Sequence, residues 1–137
     1  MNYWLVKSEP EAYSWDRFIR EKKVVWDGVR NYQARNNLRE MKAGDLVMFY
    51  HSVSEKRVMG IARVVREHYP DPTTDDGRWV VVEMVPEMAL TRPVSLAIIK
   101  SDERLSNVAL VKQARLSVMP LKREEFDAIA ELGHGQA

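Results

Sequence analysis

At 137 residues, 45% apolar and 30% charged with a net charge of +1, the chain has the size and balance of one globular domain with a substantial core. Zero cysteines exclude a disulfide framework and any thiolate metal site. No apolar run approaches the roughly 20 residues that span a bilayer. MNYWLVKSEP also lacks the basic start and apolar stretch of a secretory leader, so a cytoplasmic location is expected.

NYWLVK (2–7) predicts a strand that stops at Ser-Glu-Pro, because the residue before proline is pushed out of the helical region. Ser14 is placed to cap a short helix, with Trp15, Phe18 and Ile19 on one face. VVW (24–26) predicts a short extended piece ended by Asp27-Gly28. A helix is then predicted from about Asn31 to Met41, with Ala34, Leu38 and Met41 inward and Asn31, Arg35, Arg39 and Lys42 on a polar, basic face. Strands are predicted over 46–52, 57–69 and 78–85, with Gly60 marking a bulge or a close backbone approach and 70–77 a turn-rich loop. Short helices follow, one entered through Ser95 and one over 107–111. A strand over 115–119 and a last helix after Pro120, with Phe126, Ile129 and Ala130 inward, complete the pattern. Residues 1–132 read as one α+β domain, barrel-like, and GHGQA (133–137) as a frayed tail.

Charge and aromatic content are skewed. Residues 1–66 carry 13 Lys and Arg against 8 Asp and Glu, whereas 67–137 carry 8 against 12. Nine of the twelve aromatic residues lie within the first 51. Basic and aromatic residues interleaved in one region are the composition of a nucleic-acid surface, and equally of an aromatic core beside a basic helix. The stretch WDGVRNYQARNN (26–37) concentrates the mixture. Trp26 is either core or a stacking surface at a strand end. Gly28 permits close backbone approach, Asn31 can cap a helix or face a ligand edge, and Arg30 and Arg35 can meet phosphate or solvent.

Enzyme signatures are nearly absent. There is no phosphate-binding glycine loop, no dinucleotide fingerprint and no nucleophile elbow. His51, His68 and His134 are too dispersed to predict a metal site. Lys7-Ser8-Glu9 carries the residue types of base, nucleophile and orienter, but neighbours on an extended chain point to opposite sides. Structural or ligand-contact roles fit them better.

WLVKSEP, WDGVRNYQARN, GDLVMFYHS and RLSVMPL, in that order, closely resemble the EVE domain family over Asn2 to Ile129. The resemblance implies a PUA-like pseudo-barrel of five to six strands with small helices around it. It also implies kinship with YTH domains, which insert a methylated adenine of RNA into an aromatic pocket. The Lys-Ser step and pocket tryptophan of that arrangement match Lys7-Ser8 and Trp26, and VMGIA (58–62) resembles the strand after the pocket edge.

The resemblance therefore implies a non-catalytic, monomeric module without cofactor or metal that binds DNA or RNA carrying a modified cytosine or adenine. No membrane partner is expected, and no protein partner is assigned. The base pocket is expected from Lys7, Ser8, Trp26, Gly28, Val29, Asn31, Tyr50, His51, Ser52 and Trp79, with Tyr69 an alternative to Trp79 as second aromatic wall. Arg30, Arg35 and Arg39 are expected to hold phosphates. Rival readings are a PUA-like hydrolase of modified nucleosides using Lys7 with Glu9 or Asp27, an RNA-binding module indifferent to modification, and a scaffold whose aromatics are all core.

Overall fold

Side-chain caps place the helices. The computed structural model describes residues 1–134. In it β1 (Tyr3–Ser8) ends at Glu9-Pro10, and Ser14 caps α1 (Trp15–Glu21) by accepting the Arg17 N–H at 3.1 Å. After β2 (Val24–Val25), Asn31 caps α2 (Tyr32–Glu40) by accepting the Ala34 N–H at 2.9 Å. Ala34, Leu38 and Met41 are buried, as their spacing predicts. On α1 only Trp15 and Phe18 turn inward, while Ile19 is exposed.

The remaining elements are β3 (Leu46–His51), β4 (Arg57–Pro70), β5 (Val80–Ser95), α3 (Leu96–Ser101), α4 (Ala109–Lys112), β6 (Val118–Leu121) and α5 (Arg123–His134). Six strands form one mixed sheet in the order β2-β5-β4-β3-β1-β6. β1 lies parallel to β3, and every other neighbouring pair is antiparallel. This is the expected α+β architecture, with five α-helices among the described residues.

Three boundaries differ from expectation by more than two residues or change an element's type. β5 continues through Pro86 and Pro93 to Ser95, ten residues past the predicted end at 85. β2 pairs only with Glu83 and Met84, so beyond them β5 is an edge strand, where a missing N–H is tolerated. β6 starts at Val118 and contains Pro120, again on an edge, opposite Trp4. Gly133 and His134 belong to α5, not to a frayed tail, and residues 135–137 lie outside the described residues.

Gly60 explains how α1 reaches the sheet. The pairing register shifts there, between Phe49 and Tyr50 on β3 and between Val58 and Gly60 on β4. A β-carbon at Gly60 would overlap the Trp15 indole. Its absence lets Trp15 lie on the strand, edge-on to Phe49 at 5.3 Å and to Phe18 at 5.5 Å. Buried His51 completes the docking: its Nε2 accepts the Trp15 N–H at 2.9 Å, and its Nδ1 faces Glu55 Oε1 at 2.9 Å. Accepting at Nε2 fixes the tautomer with the proton on Nδ1.

Candidate nucleic-acid interface

A cleft of about 770 Å³ opens between the β1–α1 corner and the turn that joins β2 to α2. That volume falls within the range of small-molecule sites. On the first wall, Ser8 Oγ donates to the Tyr13 carbonyl at 2.5 Å, while the Ala12 and Tyr13 N–H groups return to the Glu9 carbonyl at 3.0 and 2.9 Å. Tyr13 precedes the Ser14 cap and packs on Phe18, four residues into the helix count, at 6.3 Å. This is the staple arrangement that fixes how a chain enters a helix.

The Tyr13 hydroxyl donates to Glu21 Oε1 at 2.9 Å, and Arg17 pairs with Glu21 Oε2 at 3.0 Å while its guanidinium lies 5.1 Å from the Tyr13 ring. Burial, reinforced by the Glu21 carboxylate, pushes the Tyr13 phenol up, so it stays a neutral donor.

On the second wall Trp26 is held by its N–H, which donates to the Val82 carbonyl at 2.9 Å. Its ring is edge-on to Phe49 at 5.6 Å and to Tyr13 at 6.5 Å. Only 8% of the residue is exposed. The alternatives of core and ligand surface therefore merge: Trp26 belongs to the core and also lines the cleft. Gly28 has φ +76° with open space where a side chain would lie, so its conformation, not crowding, requires glycine.

Asp71 ties this turn to the loop before β5. Its buried carboxylate accepts from the Gly28 N–H at 3.0 Å, Arg30 Nη1 at 3.0 Å, the Thr73 N–H at 2.7 Å and the Thr73 hydroxyl at 2.6 Å. Burial alone would raise its pKa, but the donations from Thr73, Gly28 and Arg30 outweigh burial and hold it at about 2, against an ordinary 3.8. A depressed carboxyl adds stability above its unfolded value and loses it as pH falls through the folded value. We expect the stability difference between the wild type and Asp71→Asn to be constant at neutral pH and to shrink between about pH 4 and pH 2. Thermal melts across that range check it, and a difference flat down to pH 2 would contradict the assignment.

The expected pocket residues divide. Lys7, Ser8, Trp26, Gly28, Val29 and Asn31 line the cleft together. Tyr50, His51, Ser52 and Trp79 do not, and each has a physical reason. Residues alternate along β3, so Tyr50 faces the opposite side, where with Ser52 it lines a separate groove. Both ring nitrogens of His51 are committed, Nε2 to the Trp15 N–H of α1 and Nδ1 to Glu55 of the β3–β4 loop. Trp79 packs on Tyr32 at 5.0 Å, with Arg30 5.7 Å from its ring. Tyr69 donates to Glu83 at 2.6 Å, outside the cleft.

The second aromatic wall is Tyr13, which with Arg17, Glu21, Lys23 and Ser117 was not anticipated at the site. The only local signal was the staple position of Tyr13 before its cap.

Lys7, Ser8 and Glu9 do not converge. Lys7 Nζ donates to the Ala114 carbonyl at 2.8 Å, and burial lowers the lysine's pKa, whereas Ser8 turns to Tyr13. Most cations of the cleft are already paired: Arg17 with Glu21, Lys23 with Glu83 at 3.1 Å and Arg30 with Asp71. A lining so balanced suits a flat polar ring better than a phosphate. Arg35 and Arg39 face a different, smaller cleft together with Arg78; Arg35 lies 5.1 Å from the Tyr32 ring and donates to the Arg78 carbonyl at 3.2 Å. No group of His, Asp and Glu suited to a metal ion occurs among the described residues.

The chain has clear relatives. The EVE domain model matches residues 2–132. Human thymocyte nuclear protein 1 is 35% identical over 165 residues, covering 96% of this chain and 73% of that protein. The crystal structure of protein Atu2648 from Agrobacterium tumefaciens is 42% identical with a TM-score of 0.94, over 97% of this chain and 93% of that one. The human THYN1 protein in complex with 5-methylcytosine-containing DNA is 33% identical with a TM-score of 0.92, over 100% of both chains.

Proposed function

The chain belongs to the EVE domain family, and on that premise we propose that its cleft holds one modified base, 5-methylcytosine in the first instance, turned out of a DNA strand. The observation that carries this reading is the likeness, along the whole of both chains, to the human THYN1 protein in complex with 5-methylcytosine-containing DNA. The cleft supports it chemically. An extruded base loses a few kcal/mol of stacking and pairing, and contact with an aromatic ring returns about 1–3 kcal/mol. Trp26 and Tyr13 supply that contact as two walls at a right angle.

Selectivity for the edge falls to groups that remain free. Ser8 and the Gly28 N–H are engaged within the protein, but the Glu9 and Asp27 side chains line the cleft and make no hydrogen bond among the described residues. A carboxylate accepts from the exocyclic amino group of cytosine, and would leave the carbonyl of a thymine opposed. Arg35 and Arg39, which have no acidic partner among the described residues, are the phosphate contacts on the α2 side, while Arg30 acts through Asp71.

The role is recognition without turnover. Lys7 and Ser8 both donate to backbone carbonyls, which leaves neither poised as base or nucleophile. Paired single strands differing only in one central 5-methylcytosine test the reading. A methyl buried at about 0.8 kcal/mol predicts at least about fourfold tighter binding of the modified strand, with no product released from either. Equal affinities would remove the reader role, and turnover lost in Lys7→Ala would replace it with a hydrolase.

A further inference from the structure

A second groove adjoins the cleft and shares Lys7, Glu9 and Ser117 with it. It has a volume of about 540 Å³ and runs between the β3–β4 loop and α3. Its charge is unlike that of the cleft. Lys7, Lys56 and Lys100 line it, and none of the three makes an ion pair among the described residues. Nearby acids are engaged elsewhere: Glu55 with His51 and Arg57, Glu11 with the Ser54 hydroxyl and Asp102 with Arg104. Glu9, at the shared junction, is the one carboxylate of the lining.

The loop that presents Lys56 is held in an unusual shape. Val53 has φ +68° and Lys56 φ +50°, in the left-handed region that a β-branched residue such as valine rarely enters. Backbone bonds on both sides enforce the shape. The Ser52 N–H donates to the Ser8 carbonyl at 2.9 Å, and the Leu96 N–H donates to the Lys56 carbonyl at 2.8 Å. These bonds tie the loop at one end to β1 beside the cleft and at the other to the start of α3. Strain maintained in this way collects where a segment must present groups in a set position.

We propose that this groove takes the phosphodiester backbone that continues from the base held in the cleft, with Lys56 and Lys100 each meeting one phosphate. The assignment rests on the base-binding reading for its continuity, because the two depressions meet at Lys7 and Ser117. The strand then crosses the protein with cationic contacts on both sides of the base: Arg35 and Arg39 on one flank, Lys56 and Lys100 on the other. Unpaired ammonium groups are suited to this task, since each releases a counterion from the strand when it meets a phosphate, with no acid of its own to displace. Glu9 lies at the base end of the groove, where an amino group and not a phosphate is its neighbour.

The test is fluorescence anisotropy with a short single-stranded DNA carrying one 5-methylcytosine and with its unmodified twin, over a series of salt concentrations. The wild type is compared with the double variant Lys56→Gln/Lys100→Gln. Both side chains are exposed, and matching thermal melts verify that the fold is intact. The double variant is expected to bind both strands roughly tenfold more weakly, with a salt dependence shallower by about 1.4 in log–log slope, two contacts at about 0.7 each. Its preference for the modified strand stays that of the wild type. If the base reading alone fails, the wild type shows no preference between the strands while the lysine effect persists. Unchanged affinity and slope in the double variant overturn the groove assignment, as does failure of the wild type to bind either strand.

Discussion

Replacing Trp26 by alanine is expected to abolish the preference for a modified base and, at the same time, to cost about 3–5 kcal/mol of stability. Both effects come from one position. Trp26 is 8% exposed as a residue, and its indole lies edge-on to Phe49 and Tyr13 and joins the core while it lines the cleft. Stability of a domain this size is about 5–15 kcal/mol, so the alanine variant loses a large fraction of it. Trp26→Phe separates the two roles, because it retains an aromatic in the core and leaves a smaller gap. Chemical denaturation gives the stability, and anisotropy with modified and unmodified strands gives the preference. A folded Trp26→Phe that keeps the full wild-type preference and affinity would remove the indole from recognition and leave it a packing residue.

Asp45→Ala is expected to destabilise by about 3–5 kcal/mol with no direct effect on the cleft, which Asp45 does not line. The Asp45 carboxylate is buried and accepts three N–H groups: the Asn2 amide at 3.0 Å, the Trp4 indole at 3.0 Å and the Lys42 amide at 2.9 Å. It thereby joins β1 to the turn between α2 and β3. Truncation strands the Trp4 indole N–H in the core, and an unsatisfied buried donor costs about 1–3 kcal/mol by itself. Asp45→Asn keeps one acceptor but turns an NH₂ toward donors, so an intermediate loss is expected. Urea unfolding measures all three proteins, and an alanine variant within about 0.5 kcal/mol of wild type would contradict this account.

Local chemistry made the helices legible. Ser14, Asn31 and Ser95 cap where their positions predict, because a cap depends on residues three apart in sequence. The far half of β5 was not legible: Pro86 and Pro93 argue against a strand unless one knows that no strand lies on that side. The site divides in the same way. Lys7, Ser8, Trp26, Gly28, Val29 and Asn31 come from two short segments whose motifs could be recognised.

Tyr13, Arg17, Glu21 and Lys23 reach the cleft only because α1 docks on β3 through Trp15, His51 and the bare backbone of Gly60. No local pattern encodes that contact. Tyr50, His51 and Trp79 have the residue types of a pocket, but the alternation of β3 turns Tyr50 away, the Trp15 N–H and Glu55 engage His51, and Trp79 packs on Tyr32.

The position of β1 has a kinetic consequence. Its partners on either side are β3 and β6, and the register that joins Val6 to Val118 spans most of the chain. Pairings so distant in sequence are the slow ones, since the intervening chain must be gathered before any bond rewards it. The Lys7 N–H donates to the Ser117 carbonyl at 2.9 Å, so this late pairing also brings Ser117 into the wall shared by the cleft and the groove. In a refolding experiment, competence to bind a strand is therefore tied to the docking of β6, and helix formation recovered earlier carries none of it.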